Sequence, residues 1–177
     1  LHIICLGGAL VKDPFGMTLR AIVFPPEIFR ELAGFVCGSG ETVVAQHDGG
    51  AGDEVDFSVD GSHPWNTQVA AYHRRNQSHS RWSRHLSGEL LDDVLVVGSF
   101  GTREAMVVLR KAVEEQFPGR FNIHVLQSAG PEGWYCEILQ TGISKWTGLS
   151  HLADHLGVDP TKVCAVGDEL NDIPMIK

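Results

Sequence analysis

Apolar positions along the chain fall into short runs, separated by glycine, proline and polar clusters. Residues 1–11, closed by Gly7-Gly8, predict a buried strand, and residues 19–24 a second short one after a turn at Gly16. Pro25-Pro26 opens a helix over 27–36, proline being harmless in a first turn, and Gly38 and Gly40 stop it. Strands over 41–47 and 54–59, joined by Gly49-Gly50-Ala51-Gly52, predict a hairpin. Residues 66–76 predict a helix, and the His-, Arg- and Ser-rich stretch up to Ser87 a solvated loop. The apolar run 94–100 predicts a strand, and Thr102 caps a helix to Gln116 with Ala105, Val108, Leu109 and Ala112 at helical spacing. Two strands, 121–127 and 134–139, follow. An amphipathic helix over 144–156 carries Leu149, Leu152, Ala153 and Leu156 on one face and ends at Gly157. Residues 163–166 predict a short apolar strand leading into the acidic loop Gly167-Asp168-Glu169-Leu170-Asn171-Asp172.

The pattern changes along the chain. The flanks carry short, fully apolar strands, as expected where both faces of a parallel sheet are covered. The middle has hairpins with mixed faces, as in an antiparallel sheet with helices on one side. The expected fold class is therefore α/β: a partial core from residues 1–23 and 138–177, with an α+β unit over 24–137 inserted in it. On this reading Ile4 and Ala165 share one sheet, and Lys145 lies near Asp168 at its carboxyl edge.

Hydrophobic residues make up 43% and charged residues 20% of the 177 positions, which describes a globular protein and excludes disorder as the dominant state. The longest apolar runs fall far short of the roughly 18–20 residues a membrane span needs. No segment resembles a signal peptide. A net charge of −8 argues against the nucleic-acid backbone as a partner. Cys5, Cys37, Cys136 and Cys164 have neither metal nor disulfide spacing, so a reducing, cytoplasmic compartment is expected. Both ends are apolar rather than polar and flexible, which implies a piece of a longer protein.

Candidate chemistry gathers near the C-terminus. Asp168 and Asp172, with Asn171 between them, form an oxygen-rich loop beyond a strand, and hard cations such as Mg²⁺ take oxygen ligands with one or two carboxylates. Lys145, twenty-three residues before Asp168, starts the preceding helix and can bring an ammonium to the same edge, an arrangement suited to a phosphoryl group. Each residue alone is an ordinary loop or surface group; the order and spacing together carry the reading.

Gly142-Ile143-Ser144-Lys145 followed by residues 163–175, with Gly167-Asp168-Glu169-Leu170-Asn171-Asp172 and Met175, resembles the haloacid dehalogenase (HAD) superfamily, and most closely its Cof-type, sugar-phosphate phosphatase-like branch. Leu6-Gly7-Gly8-Ala9-Leu10 resembles that family's Ser/Thr-Asn-Gly-Ala segment. The resemblance implies a HAD-like Rossmannoid core with an α+β cap. It further implies Mg²⁺ on Asp168, with Asp172 as ligand or support, and Lys145 steadying the nucleophile and phosphoryl group. Gly7, Gly8 and Asn171 would lie at the phosphate. The implied reaction is hydrolysis of a small phosphorylated metabolite, a sugar phosphate or a phosphorylated cofactor, through an aspartyl-phosphate. Two departures stand out. The family's Asp-x-Asp-Gly-Thr nucleophile segment precedes the Gly7-Gly8 turn and is not among these residues, which implies an inactive isolated chain. Leu6 stands where the family usually has Ser or Thr.

Other candidates carry less. Ser58-Val59-Asp60-Gly61-Ser62 has the outline of the nucleophile segment but lacks its buried strand context, and Asp92-Asp93 lacks the spacing. His151 and His155 fit a solvated helix face; His63, His73, His79 and His85, with Arg74, Arg75, Arg81 and Arg84, form a locally basic stretch that reads first as a solvated loop or helix face and alternatively as a cap surface that meets an anionic substrate. The competing functional class is a non-catalytic binding module on a HAD-like scaffold. A receiver-like reading fails because the lysine precedes the acidic loop.

Overall fold

The computed structural model describes residues 1–50, 55–128, 130 and 133–176. Three strands, β1 (Ile3–Cys5), β2 (Leu10–Lys12) and β3 (Thr18–Ala21), form a small antiparallel sheet. Helix α1 (Pro26–Gly38) leads to β4 (Val44–Gln46), β5 (Phe57–Asp60), α2 (Thr67–Arg75) and β6 (Ser80–Ser83). Then come β7 (Val96–Gly101), α3 (Arg103–Gln116), β8 (Phe121–Gln127) and β9 (Trp134–Gln140). Helix α4 (Lys145–Leu156) and the single turn α5 (Ile173–Ile176) complete the chain.

The larger sheet has six strands in the order β6-β5-β4-β7-β9-β8. Its pairs are antiparallel except β5 with β6. Alternation along each strand divides its side chains between two covered faces. One face meets α1 and α3 in a core that includes Phe29, Leu32, Val97, Met106, Leu109 and Ile138. The other face is shared. Helix α2 covers Val44, Phe57, Val59 and Phe100, with Tyr72, Phe100 and Tyr135 stacked at centroid distances of 4.3 and 4.5 Å. Further along, Ala9 and Leu10 of the small sheet pack on Leu95, Val96, Leu139 and Ile143. Helix α4 lies on the small sheet, where Arg20 Nη1 donates to the Thr147 carbonyl at 2.9 Å.

The hairpin expected over 41–59 forms, with Val44 opposite Val59 and Gln46 opposite Phe57. Ala51, Gly52 and Glu54 lie outside the described residues. Three expectations are corrected. Residues 1–11 are not one strand: the chain reverses at Leu6–Gly8, so β1 and β2 pair with each other, Cys5 opposite Leu10. The loop expected before Ser87 contains β6, an edge strand whose exposed Trp82 and Arg81 hide the apolar signal, and β5-α2-β6 makes one parallel crossover. Residues 163–166 form no strand, and Val166 is 88% exposed. Among the described residues no strand runs alongside them, and a run without lateral hydrogen-bond partners does not hold a strand conformation. Ile4 and Ala165 therefore do not share a sheet.

Candidate phosphoryl site

The turn after β1 is left-handed throughout, with φ of 50°, 62° and 101° at Leu6, Gly7 and Gly8, and is closed by Ala9 N–H donating to the Leu6 carbonyl at 3.0 Å. Glycine is required here for space as well as conformation. A Cβ on Gly8 would lie 2.0 Å from the Ser144 carbonyl oxygen, and one on Gly7 2.5 Å from Leu139 Cδ1. The turn is thus wedged between β9 and the start of α4.

Helix α4 begins with a capping box. Thr147 N–H donates to Ser144 Oγ at 3.2 Å, and Ser144 N–H to Thr147 Oγ1 at 3.0 Å. This fixes Lys145 at the first helical position, half-buried. Its Nζ donates to Asp172 Oδ1 at 2.6 Å. The other oxygen of Asp172 accepts from the backbone N–H of Asp168, at 3.1 Å, and of Glu169, at 3.0 Å. These bonds, led by that from Lys145, hold the Asp172 carboxyl below the usual range. Gly167 permits the fold-back, since a Cβ there would lie 2.3 Å from that of Asp172.

The structure brings Lys145, Asp172, Asn171 and the Gly7-Gly8 turn into one region, joined through α4 and β9. Lys145 meets Asp172 rather than Asp168. Asp168 is exposed, and among the described residues its carboxylate bonds to no other side chain. Asn171 is buried, and its Oδ1 has no hydrogen-bond partner. Among the described residues no three His, Cys, Asp or Glu side chains gather as a metal cluster, and the histidines of α2 and α4 form none. Asp168 and the Asn171 oxygen are hard donors of the kind Mg²⁺ takes, whereas both oxygens of Asp172 are already engaged. Ser58 is fully buried in β5 and Asp60 Oδ1 accepts from Ser62 N–H at 2.8 Å, so this stretch is a strand running into a turn.

Glu137 is the site residue that the pattern reading passed over. It is 6% exposed, and burial pushes its carboxyl up to about 7, against the opposing effects of the polar Asn171 side chain and the Lys145 charge. One signal was available: Glu137 is the single charge within Tyr135-Cys136-Glu137-Ile138-Leu139, and a lone carboxylate in a strand covered on both faces is an anomaly. Across the strand pair lies His124, whose pKa is lowered by burial first and by Lys145 and Arg110 next. On the other side of the Leu6–Gly8 turn a cavity of about 310 Å³ is lined by Cys5, Leu6, Leu10, Lys12, His47 and Asp48. Lys12 and Thr18 both engage Asp48 there.

A family profile for haloacid dehalogenase-like hydrolases matches residues 1–177. The fold recurs in a haloacid dehalogenase-like hydrolase from Bacteroides thetaiotaomicron (TM-score 0.72, 16% identity), covering 98% of this chain and 61% of that one. It recurs in SMU.1108c from Streptococcus mutans UA159 (TM-score 0.75, 14% identity, 99% of this chain and 61% of that one). A third match is BT4131, described as a HAD subclass IIB sugar phosphatase (TM-score 0.69, 17% identity, 98% and 60%). A local stretch of 41 residues is 46% identical to the chloroplastic endoribonuclease YBEY of Arabidopsis thaliana, covering 23% of this chain and 7% of that protein. The chain thus spans about three fifths of the length of the solved structures it resembles and a small part of that curated relative. The site sits in an α/β, HAD-like fold, and the chain belongs to the haloacid dehalogenase-like hydrolase family.

Proposed function

We propose that this chain is part of a Mg²⁺-dependent phosphomonoester hydrolase that acts on a small phosphorylated metabolite, through an aspartyl-phosphate whose nucleophile lies in another segment of the protein. The observation that carries the reading is the Lys145–Asp172 pair with the unengaged Asp168 carboxylate on the same loop. Asp168 would hold Mg²⁺, which when bound supplies positive charge for the phosphoryl oxygens. Asp172 supports it by fixing both the loop backbone and the lysine. Lys145 neutralises phosphoryl charge at its Nζ, and the wedged Gly7-Gly8 turn lets backbone approach the phosphate closely. In this reading residues 1–23 and 138–177 are the core portion and 24–137 the cap, in a cytoplasmic protein. The cavity beside Leu6 has the size and mixed lining to take the organic part of a sugar phosphate or phosphorylated cofactor.

Isothermal titration of the chain with MgCl₂, and then with inorganic phosphate in its presence, tests the reading. Saturable Mg²⁺ binding that Asp168→Ala abolishes is the expected result; binding indifferent to that substitution refutes the assignment. A second reading, a binding module, draws on Leu6, whose side chain offers no hydroxyl to a phosphate. Phosphate binding without turnover of p-nitrophenyl phosphate by the longer protein would favour it. Turnover lost in Lys145→Ala and Asp168→Ala would exclude it.

A further inference from the structure

The stretch from Gly61 to Gly88 holds four arginines and four histidines and no aspartate or glutamate, in a chain of net charge −8. It supplies α2 and β6, which complete the parallel crossover begun by β5. In such a unit the carboxyl ends of both strands and the start of the helix meet at one edge, the place where α/β sheets bind ligands. A cleft of about 290 Å³ lies at that edge, lined by Gly61, His63, Trp65 and Trp82. It is separate from the cavity beside Leu6. Asp56, just before β5, lines that cavity and Gly61, just after β5, lines the cleft, so roughly 16 Å of extended chain lies between them.

Both indoles are held in place. Trp65 Nε1 donates to the Asp60 carbonyl at 2.7 Å, and its ring lies 4.7 Å from the His73 imidazole. Trp82 stands opposite Val59 in parallel register, which puts it on the α2 side of the sheet. It is 55% exposed, and a Cβ on Gly61 would collide with its indole, so glycine makes the room it occupies. Fixed indoles on a cleft offer flat apolar surface to a planar ring. Positive charge stands beside them. The Ser83 carbonyl accepts from Gly61 N–H at 2.7 Å, which brings Arg84, the next residue, to the border of the cleft. Arg84 is exposed and makes no ion pair among the described residues.

We propose that this cleft is a second binding site, for a small ligand whose planar heterocyclic ring carries an anionic group, the chemistry of a mononucleotide. The ring lies on Trp65 and Trp82, and the anion faces His63 and Arg84. A pyranose also stacks on indole, but its hydroxyls call for carboxylate partners. Residues 61–88 supply none, and Asp60 is engaged already, Oδ1 accepting from Ser62 N–H at 2.8 Å and Oδ2 from Ser87 N–H at 3.4 Å. The site stands independently of the phosphoryl-site reading. Isothermal titration of the 177-residue chain without metal compares adenosine 5′-monophosphate, adenosine, inorganic phosphate and methyl glucoside, and NMR follows the Trp82 indole N–H resonance.

The monophosphate should bind saturably at millimolar concentration or below, shift the Trp82 resonance, and weaken with added NaCl. Adenosine should bind about 5-fold more weakly, and phosphate alone more weakly still. Trp82→Ala should weaken both nucleoside probes by about 10-fold, and Trp82→Phe, which keeps a ring face, should restore most of the loss. Arg84→Gln should weaken the monophosphate by about 5-fold and leave adenosine unchanged. Absence of saturable binding would overturn the proposal, as would monophosphate binding unchanged in Trp82→Ala. Binding lost in Lys145→Ala but kept in Trp82→Ala would place the probe at the phosphoryl site and overturn it too. Methyl glucoside binding more tightly than the monophosphate would make this a sugar cleft, against the proposal. Should Trp82→Ala not fold, a wild-type Trp82 resonance that ignores the monophosphate overturns it equally.

Discussion

Lys145 Nζ lies 2.6 Å from Asp172 Oδ1, linking the first turn of α4 to an acidic loop twenty-seven residues further on. The carboxylate is 5% exposed and the lysine side chain 34%, so this is a partly buried, charge-assisted bond rather than a surface ion pair. Lys145→Met leaves Asp172 with only its two backbone donors. We expect a loss of about 1–3 kcal/mol in urea denaturation, and a Lys145→Met/Asp172→Asn double variant that loses less than the sum of the two single ones. Strict additivity would show that the pair is uncoupled.

Gly8 is expected to be intolerant of any side chain. Its φ is 101°, and an added Cβ would lie 2.0 Å from the Ser144 carbonyl oxygen, which is backbone and cannot swing away. Gly8→Ala should cost about 2 kcal/mol or more, by chemical denaturation. Gly16 has φ of 86° but nothing within 4 Å of its would-be Cβ, so Gly16→Ala should cost only about 1 kcal/mol. Equal costs at the two positions would refute the wedge.

Glu137 links stability to pH. Its carboxyl is raised from 4.5 to about 7 in the folded chain, so the folded state binds the proton more tightly than the unfolded one. Its contribution is complete below the unfolded value and is lost as pH rises through about 7. Thermal or urea unfolding from pH 5 to pH 8 should therefore show falling stability, by up to about 3 kcal/mol from this group. Glu137→Gln should flatten that slope and be the more stable protein at pH 8. A slope unchanged by the substitution contradicts the assignment.

His47 shows the opposite sign. Its Nε2 lies 2.8 Å from Ser58 Oγ, and Asp93 Oδ1 stands 3.1 Å from Nδ1, off the line of a hydrogen bond. Burial lowers its pKa below 6.5, Asp93 opposing. The unfolded chain takes up the proton first as pH falls, so stability present above pH 6.5 is lost through the lower folded value. The imidazole resonances of His47 should titrate with a midpoint below 6.5; a midpoint above it would show a charged histidine in the site.

The helices were legible because their signals are local. The Pro pair at the start of α1, Thr102 before α3, Ser144 and Gly157 around α4, and the 3.6-residue apolar spacing all act within a few residues. Asn66 likewise caps α2, accepting from Val69 N–H at 2.8 Å. Strand pairing was less legible. The run 163–166 is as apolar as β7, yet a strand exists only where a neighbour accepts its hydrogen bonds, and β6 forms despite a polar sequence because β5 provides that neighbour.

The candidate site divides in the same way. Order and spacing alone singled out Lys145, Asp168, Asn171 and Asp172, because metal and phosphate chemistry restricts residue type and a helix–loop spacing is carried in the chain itself. That Asp172 rather than Asp168 takes the lysine, that Gly7 and Gly8 press on β9 and α4, and that Glu137 lies beneath them were decided only by tertiary structure. These relations join residues remote in sequence. They depend on which faces are buried together and on which carboxylate the loop folds inward, and neither is written in the local pattern.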